Sequence, residues 1–225
     1  MIKFENVSKK FPLGTLALSE VSFEIEDKDF VFFVGPSGAG KTTILKLILH
    51  EFKPSNGTIL INDFDVTSRE FYQLEMLRRN IGMIFQDFKI LFDKNVFENI
   101  ALSLKVLSAN DDQITKIVNQ ALELVGLTKK KLSFPVQLSA GEIQRVAIAR
   151  AIVGDREIIL ADEPTGNLDP KTTWEIMKIF KKLEGKKTIL IATHNIDIVN
   201  SFQKRVLVLK QGKLTKDQRK GGYEV

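Results

Sequence analysis

Short apolar runs rich in branched and aromatic residues alternate along this chain with stretches of helical period. Four runs, Phe30–Val34, Ile81–Phe85, Ile158–Ala161 and Thr188–Ala192, are nearly continuous in apolar residues, the pattern of strands covered on both faces. They predict a mostly parallel sheet with helices on both sides. Ile2–Val7, Leu18–Ile25 and Thr58–Ile61 predict antiparallel strands in the N-terminal part. Between Phe88 and about Gly154 helical periods dominate. Within this stretch Ile114, Ile117, Val118, Ala121, Leu122 and Val125 fall on one side of a helix over Asp111–Val125. The expected fold class is therefore α/β, with one domain over residues 1–225. Its core is expected at about 1–87 and 154–225, and an inserted helical subdomain at about 88–153.

A chain of 225 residues is long enough for one well-cored domain. Its 44% hydrophobic and 27% charged residues are an ordinary soluble composition. No apolar run approaches the roughly 18–20 residues that a membrane-spanning helix needs. Met1-Ile2-Lys3-Phe4-Glu5 leads directly into strand-like alternation, so no signal peptide is expected. The absence of cysteine excludes a disulfide framework and cysteine metal sites. The net charge of +5 gathers in Lys129-Lys130-Lys131, in Lys181-Lys182 with Lys186-Lys187, and in a tail from Lys210 to Lys220. Solvated helix faces and a polar tail account for such clusters, and attraction to an anionic membrane surface is the functional alternative. No aromatics are interleaved with these lysines, so nucleic acid is not an expected partner.

Gly35-Pro36-Ser37-Gly38-Ala39-Gly40-Lys41-Thr42 fits the phosphate-loop pattern G-x-x-x-x-G-K-[ST]. It follows Phe30–Val34 and precedes a helical stretch at Ile44–Leu49, the strand–loop–helix context this pattern requires. Glycines let backbone N–H groups turn inward around phosphate oxygens, and the helix N-terminus adds partial positive charge. Lys41 is expected to reach the β- and γ-phosphates of a nucleotide, and the Thr42 hydroxyl to hold Mg²⁺. Gly35 to Gly40 and Thr43 complete the loop's expected nucleotide-binding set.

A second motif narrows the class. Leu138-Ser139-Ala140-Gly141-Glu142, running into Gln144-Arg145-Val146-Ala147-Ile148-Ala149-Arg150-Ala151, resembles the signature of the ABC (ATP-binding cassette) ATPases. That resemblance implies a P-loop, RecA-like core with an antiparallel β subdomain and an inserted α-helical subdomain. It also implies that Ser139 and the Gly141 N–H serve the ATP of the opposite copy in a head-to-tail homodimer closed on two ATP. Asp162-Glu163, at the end of the run Ile158–Ala161, then matches the family's acidic pair. Asp162 would hold Mg²⁺, and Glu163 would act as general base or water-positioning group for attack on the γ-phosphate.

Further residues take roles from their order among these motifs. Gln86 resembles the glutamine that joins the Mg²⁺ shell and links core to helical subdomain. His194 resembles the switch histidine that contacts the γ-phosphate and supports the attacking water. Asn167-Leu168-Asp169 resembles the loop that crosses the dimer interface. Phe11 falls where the family carries an adenine-stacking aromatic, core packing being the alternative. His50 matches no motif, and neither histidine has partner ligands at metal-site spacing.

Ala161-Asp162-Glu163-Pro164-Thr165-Gly166-Asn167-Leu168-Asp169 resembles the branch that includes cell-division ATPases, lipoprotein-release ATPases and macrolide exporters. Ile81–Leu91, Asn95–Ala101, Met1–Ser8, Leu16–Leu18 and Val21–Phe23 resemble its cell-division members. No fused membrane domain is expected after the last core strand. The resemblance implies a peripheral place at the cytoplasmic face of the inner membrane and the integral membrane protein FtsX as partner. Partner docking is expected near Gln86–Glu98, where Phe88, Ile90, Leu91, Phe92 and Phe97 are covered either by the partner or by the fold. An ATPase driving lipoprotein release or export of peptides or macrolides is the alternative.

Three positions depart from the family pattern. Ala140 replaces a glycine, and would be strained and slow hydrolysis if its φ were positive. Glu142 stands where many relatives carry glutamine, and Lys28 takes a turn position usually held by glycine.

Overall fold

The computed structural model of the chain describes residues 1–12, 14–106 and 110–221. β1 (Ile2–Lys10) pairs antiparallel with β2 (Leu16–Ile25), and β3 (Phe30–Val34) runs through the phosphate loop into α1 (Lys41–Ile48). β4 (Asn56–Ile61) and β5 (Phe64–Asp65) complete a four-stranded sheet of order β2-β1-β4-β5, and α2 (Leu74–Arg79) leads into β6 (Ile81–Ile84). Three helices follow, α3 (Val96–Lys105), α4 (Asp111–Val125) and α5 (Ala140–Ile152). The chain then alternates through β7 (Ile158–Asp162), α6 (Pro170–Leu183), β8 (Thr188–Thr193), α7 (Ile196–Phe202), β9 (Arg205–Lys210) and β10 (Lys213–Gln218). All four continuous apolar runs lie in one six-stranded sheet of order β10-β9-β3-β8-β7-β6, parallel except for its last hairpin.

The physical reason for continuous runs is visible in β3. Phe30, Phe32 and Val34 join the apolar cluster formed with α3 to α6, whereas Val31 and Phe33 join the cluster on the other face with α1 and the antiparallel sheet. Side chains alternate across a strand, so a strand with two apolar layers needs both sets. Burying each such side chain contributes about 1.5–3 kcal/mol. No helix among the described residues is long and apolar enough to cross a membrane.

Helix limits follow local chemistry. Asn110 and Gln113 form a reciprocal cap at the start of α4, and Gly126 ends it in left-handed conformation at φ 72°. The basic stretch read as a polar tail is corrected: Lys213–Gln218 is an edge strand hairpinned onto β9. Lys28 takes φ 64°, the turn conformation glycine usually supplies, and its N–H donates to Thr188 Oγ1 at 2.9 Å.

α5 approaches β6 closely. A Cβ on Gly82 would lie 2.0 Å from the Ala151 carbonyl oxygen. Gly82→Ala is therefore expected to cost about 1–3 kcal/mol by overpacking, and thermal unfolding should show Tm falling by about 2–4 °C for each kcal/mol. An unchanged Tm would contradict this contact.

Candidate active site

The site starts from a turn that only glycine fits. Gly40 takes φ 106°, and a Cβ there would meet Leu18 Cδ2 at 2.6 Å and the Ala17 carbonyl oxygen at 2.8 Å. The phosphate loop is thereby pressed against β2 and hands over to the N-terminus of α1. Pro36 to Thr43 line a cleft of about 470 Å³ together with Thr15, Leu16, Ala17, Gln86, Glu163 and His194. Gln86, Glu163 and His194 follow the carboxyl ends of β6, β7 and β8, where open parallel sheets present their ligand crevice.

Inside this cleft the polar groups converge. Lys41 is 7% exposed; its ammonium donates to the carbonyls of Gly35 at 2.7 Å and Pro36 at 3.1 Å, and lies 3.8 Å from Glu163 Oε1. Thr42 Oγ1 donates to Asp162 Oδ1 at 3.0 Å. Burial holds the Asp162 carboxyl above the ordinary carboxylate range and the charge of Glu163 adds to this, while the Thr42 hydrogen bond and Lys41 and Lys46 act against it. A cation at this carboxyl would relieve that cost. Thr42, Asp162 and Gln86 are oxygen donors of the kind that Mg²⁺ takes alongside phosphate oxygens. No cluster of three or more His, Cys, Asp or Glu able to hold a metal unaided occurs among the described residues. The donor set thus fits an ion shared with a phosphate ligand.

Glu163 has φ 46°, a left-handed conformation that costs a non-glycine residue about 1–2 kcal/mol. Its N–H donates to the Ala192 carbonyl at 2.9 Å and its carbonyl accepts from Gly166 N–H at 3.1 Å, which holds the bend. The carboxylate then meets His194, Oε1 to Nδ1 being 2.9 Å. A smaller hollow of about 220 Å³ shares Glu163 and His194 and is lined further by Leu168 and Trp174. Asp169, beside it, caps α6 by accepting from Thr172 N–H at 3.0 Å.

Ser139 and Gly141 do not line the cleft. Ser139 caps α5 reciprocally with Glu142, accepting from Glu142 N–H at 3.3 Å while its own N–H donates to Glu142 Oε2 at 2.9 Å. That hydrogen bond from the Ser139 N–H is the main force holding the Glu142 carboxyl below its usual range. Ala140 is the first helical residue of α5 and is not in positive φ, so the expected backbone strain does not arise. Phe11 is half-buried and also lies outside the cleft lining; its ring meets Phe52 edge-on at 5.2 Å, with the Lys9 ammonium 5.2 Å from its centroid. His50 packs edge-on against Phe71.

Of the five apolar residues after Gln86, Ile90 joins the core, Phe88 and Phe97 pack against it, and Leu91 and Phe92 are exposed. Arg150 was given no role by its position in the sequence. Its guanidinium donates to the carbonyls of Lys89 at 2.6 Å and Phe88 at 3.0 Å, which hold φ 48° and 59°. The available signal was a single charge in the apolar helical run Val146–Ile152.

A phosphate loop facing an acidic pair and a histidine, with a separately capped helix carrying the second motif, defines a P-loop ATPase of the cassette type. Residues 18–166 match the family described as ABC transporter. The chain belongs to that family as one of its ATPases, and within it to the cell-division ATP-binding proteins FtsE. The FtsE of Bacillus subtilis is 46% identical over 99% of this chain and 98% of its own length. That of Escherichia coli is 44% identical over 95% of this chain and 97% of its own. Among solved structures, the dimeric ATP-binding cassette MJ0796 bound to ADP and Pi superposes with a TM-score of 0.89 at 34% identity, covering 99% of this chain and 100% of the other. CbiO1 of Clostridium perfringens gives 0.88 at 31% identity, covering 97% and 88%.

Proposed function

We propose that two copies of this chain close head-to-tail on two ATP, hydrolyse them, and pass the movement to the membrane protein FtsX to regulate cell-wall hydrolysis in division. The observation that carries the reading is the convergence of Lys41, Thr42, Asp162, Glu163 and His194 on one cleft from which Ser139 and Gly141 are absent. A cleft with a candidate catalytic carboxylate and a separate signature suits a site completed by a second copy, and the MJ0796 cassette bound to ADP and Pi is dimeric. Binding that exists only in the closed state can drive closure through differential affinity.

In this reading the γ-phosphate takes the Lys41 ammonium from its loop carbonyls. Glu163 orients and accepts a proton from the attacking water, with His194 holding the carboxylate and facing the phosphate. Thr42, Asp162 and Gln86 would hold Mg²⁺, which would supply charge neutralisation on the phosphate oxygens. Ser139 and the Gly141 N–H serve the γ-phosphate of the opposite copy, and Phe11 flanks the adenine. Residues about 88–153 move as a helical subdomain against the core. The exposed Leu91 and Phe92 mark the partner surface after Gln86, and the chain works as a peripheral protein at the cytoplasmic membrane face.

The test is capture from native cells with Glu163→Gln protein as bait, identifying detergent-solubilised membrane partners by mass spectrometry. An FtsX-type protein is expected. Recovery of a lipoprotein-release or exporter permease instead would move the same residues into a transport cycle.

A further inference from the structure

The segment joining α4 to α5 inverts the usual order of a solvated loop. Burial alternates along it: Lys131 and Ser133 are half-buried and Pro135 is buried, whereas Leu132, Phe134 and Val136 face outward. These three apolar side chains are 73%, 42% and 79% exposed. The inner positions anchor the segment. The Lys131 and Ser133 carbonyls accept from the N–H groups of Phe97 and Val96, both at 2.9 Å. The Lys131 ammonium lies 4.7 Å from the centroid of the Phe97 ring and donates to Asn119 Oδ1 at 3.0 Å. A turn at Pro135–Gln137 is closed by Phe134 N–H donating to Gln137 Oε1 at 2.8 Å. Leu132, Phe134 and Val136 therefore stand on a braced ridge and project from it. They line neither the ATP cleft nor the smaller hollow beside it.

Lysines flank the ridge. Lys129, Lys130 and Lys131 lead into it, and Lys94 precedes the start of α3 to which Ser133 is bonded. The nearby acids leave these charges largely free. Glu98 and Glu142 are turned to helix caps, accepting from the N–H groups of Asn95 and Ser139 at 2.9 Å each. Lys130 lies 3.7 Å from Glu142 and Lys94 3.8 Å from Asp93, exposed pairings that contribute little. Lys129 forms no ion pair among the described residues. Exposed apolar patches mark protein or membrane contacts. A partner helix seats in a groove, whereas a bilayer surface accepts a protruding ridge, and cations beside it add attraction to anionic headgroups. We infer that Leu132, Phe134 and Val136 enter the headgroup layer of an anionic membrane, with Lys94, Lys129 and Lys130 on the lipid phosphates. The inference rests on the reading that the chain works at the membrane face, and it adds a contact with the lipid itself. Leu138 N–H donates to the Pro135 carbonyl at 3.1 Å and Ser139 caps α5, so a membrane gripping the ridge also orients the start of that helix.

The probe is co-sedimentation of the purified full chain, without any partner, with vesicles of phosphatidylcholine alone or mixed equally with phosphatidylglycerol. The mixed vesicles should bind it at least about tenfold more tightly at low salt, with the difference shrinking as salt rises. Leu132→Ser/Val136→Ser should lower binding to the mixed vesicles about tenfold while ATP turnover is retained. Val136→Ser alone should lower it severalfold and covers the case in which the double variant does not fold. Lys129→Gln/Lys130→Gln should also lower it severalfold and flatten its salt dependence. Val136→Trp should gain emission that brominated lipid quenches, beyond any change shown by Trp174, the chain's single tryptophan. No preference for the mixed vesicles, or unchanged binding by folded serine variants, would overturn the proposal; the second result would mean adsorption by charge alone. If vesicles are ignored but Leu132→Ser/Val136→Ser loses the membrane protein captured in cells, the ridge meets protein and the lipid contact falls. Capture of an exporter permease would overturn the division reading, while the vesicle result still decides the ridge.

Discussion

Glu163→Gln protein given ATP and Mg²⁺ will accumulate as a dimer, with turnover reduced by about 10²–10⁴-fold, the usual contribution of a positioned general base. The expectation rests on Glu163 lying in the phosphate-loop cleft, bent by φ 46° onto His194 at 2.9 Å and 3.8 Å from the Lys41 ammonium. Glutamine preserves the shape of the side chain and its hydrogen bond to His194, but cannot accept the water's proton. ATP therefore stays intact and so do the contacts that exist only in the closed dimer. Light scattering with ATP and with ADP distinguishes the outcomes. A monomer with both nucleotides, or turnover near that of the unsubstituted chain, would remove Glu163 from the chemistry. On the proposed function a membrane partner would hold two copies near one another, so it belongs in a second run of the measurement.

Lys41→Ala is expected to remove nucleotide binding, hydrolysis or both. Lys41 is buried, and its ammonium sits under the loop on the Gly35 and Pro36 carbonyls. Among the described residues no other lysine or arginine side chain lines this cleft. Truncating one partner of a buried charge pair costs about 2–5 kcal/mol, which corresponds to roughly 30-fold to several thousand-fold in affinity for the triphosphate. Titration with a fluorescent ATP analogue, paired with phosphate release, measures both losses. Normal turnover would sink the assignment of this cleft as the active site. The thermal unfolding curve without nucleotide separates this from misfolding, because alanine also leaves the two loop carbonyls without their donor.

Short-range patterns carried much of the fold. Phe30–Val34 announces its two-sided burial by being apolar at every position, and Asp111–Val125 announces its face and its limits through Asn110, Gln113 and Gly126. Lys213–Gln218 carried no such signal. It is an edge strand with a charged exposed surface, so its sequence resembles that of a solvated tail. Ala140 needed the backbone itself, because a glycine-to-alanine change is harmful only in the conformations that glycine alone prefers, and the helix start is not one of them.

By itself the sequence determined the phosphate loop, the acidic pair, the signature helix start and the apolar strands around them. These are properties of neighbouring residues: backbone N–H groups of one loop, one cap, one period. Only the tertiary structure decided which of the candidates meet. The Thr42–Asp162 hydrogen bond spans 120 positions, the Glu163–His194 contact 31, and the Arg150 bond to the Lys89 carbonyl 61. It also decided that Arg78, Arg150 and Arg156 line one hollow, whose acid Glu51 pairs with Lys46 at 3.1 Å. Such contacts depend on how sheets and helices pack, and packing joins residues through burial and shape rather than through their order in the chain.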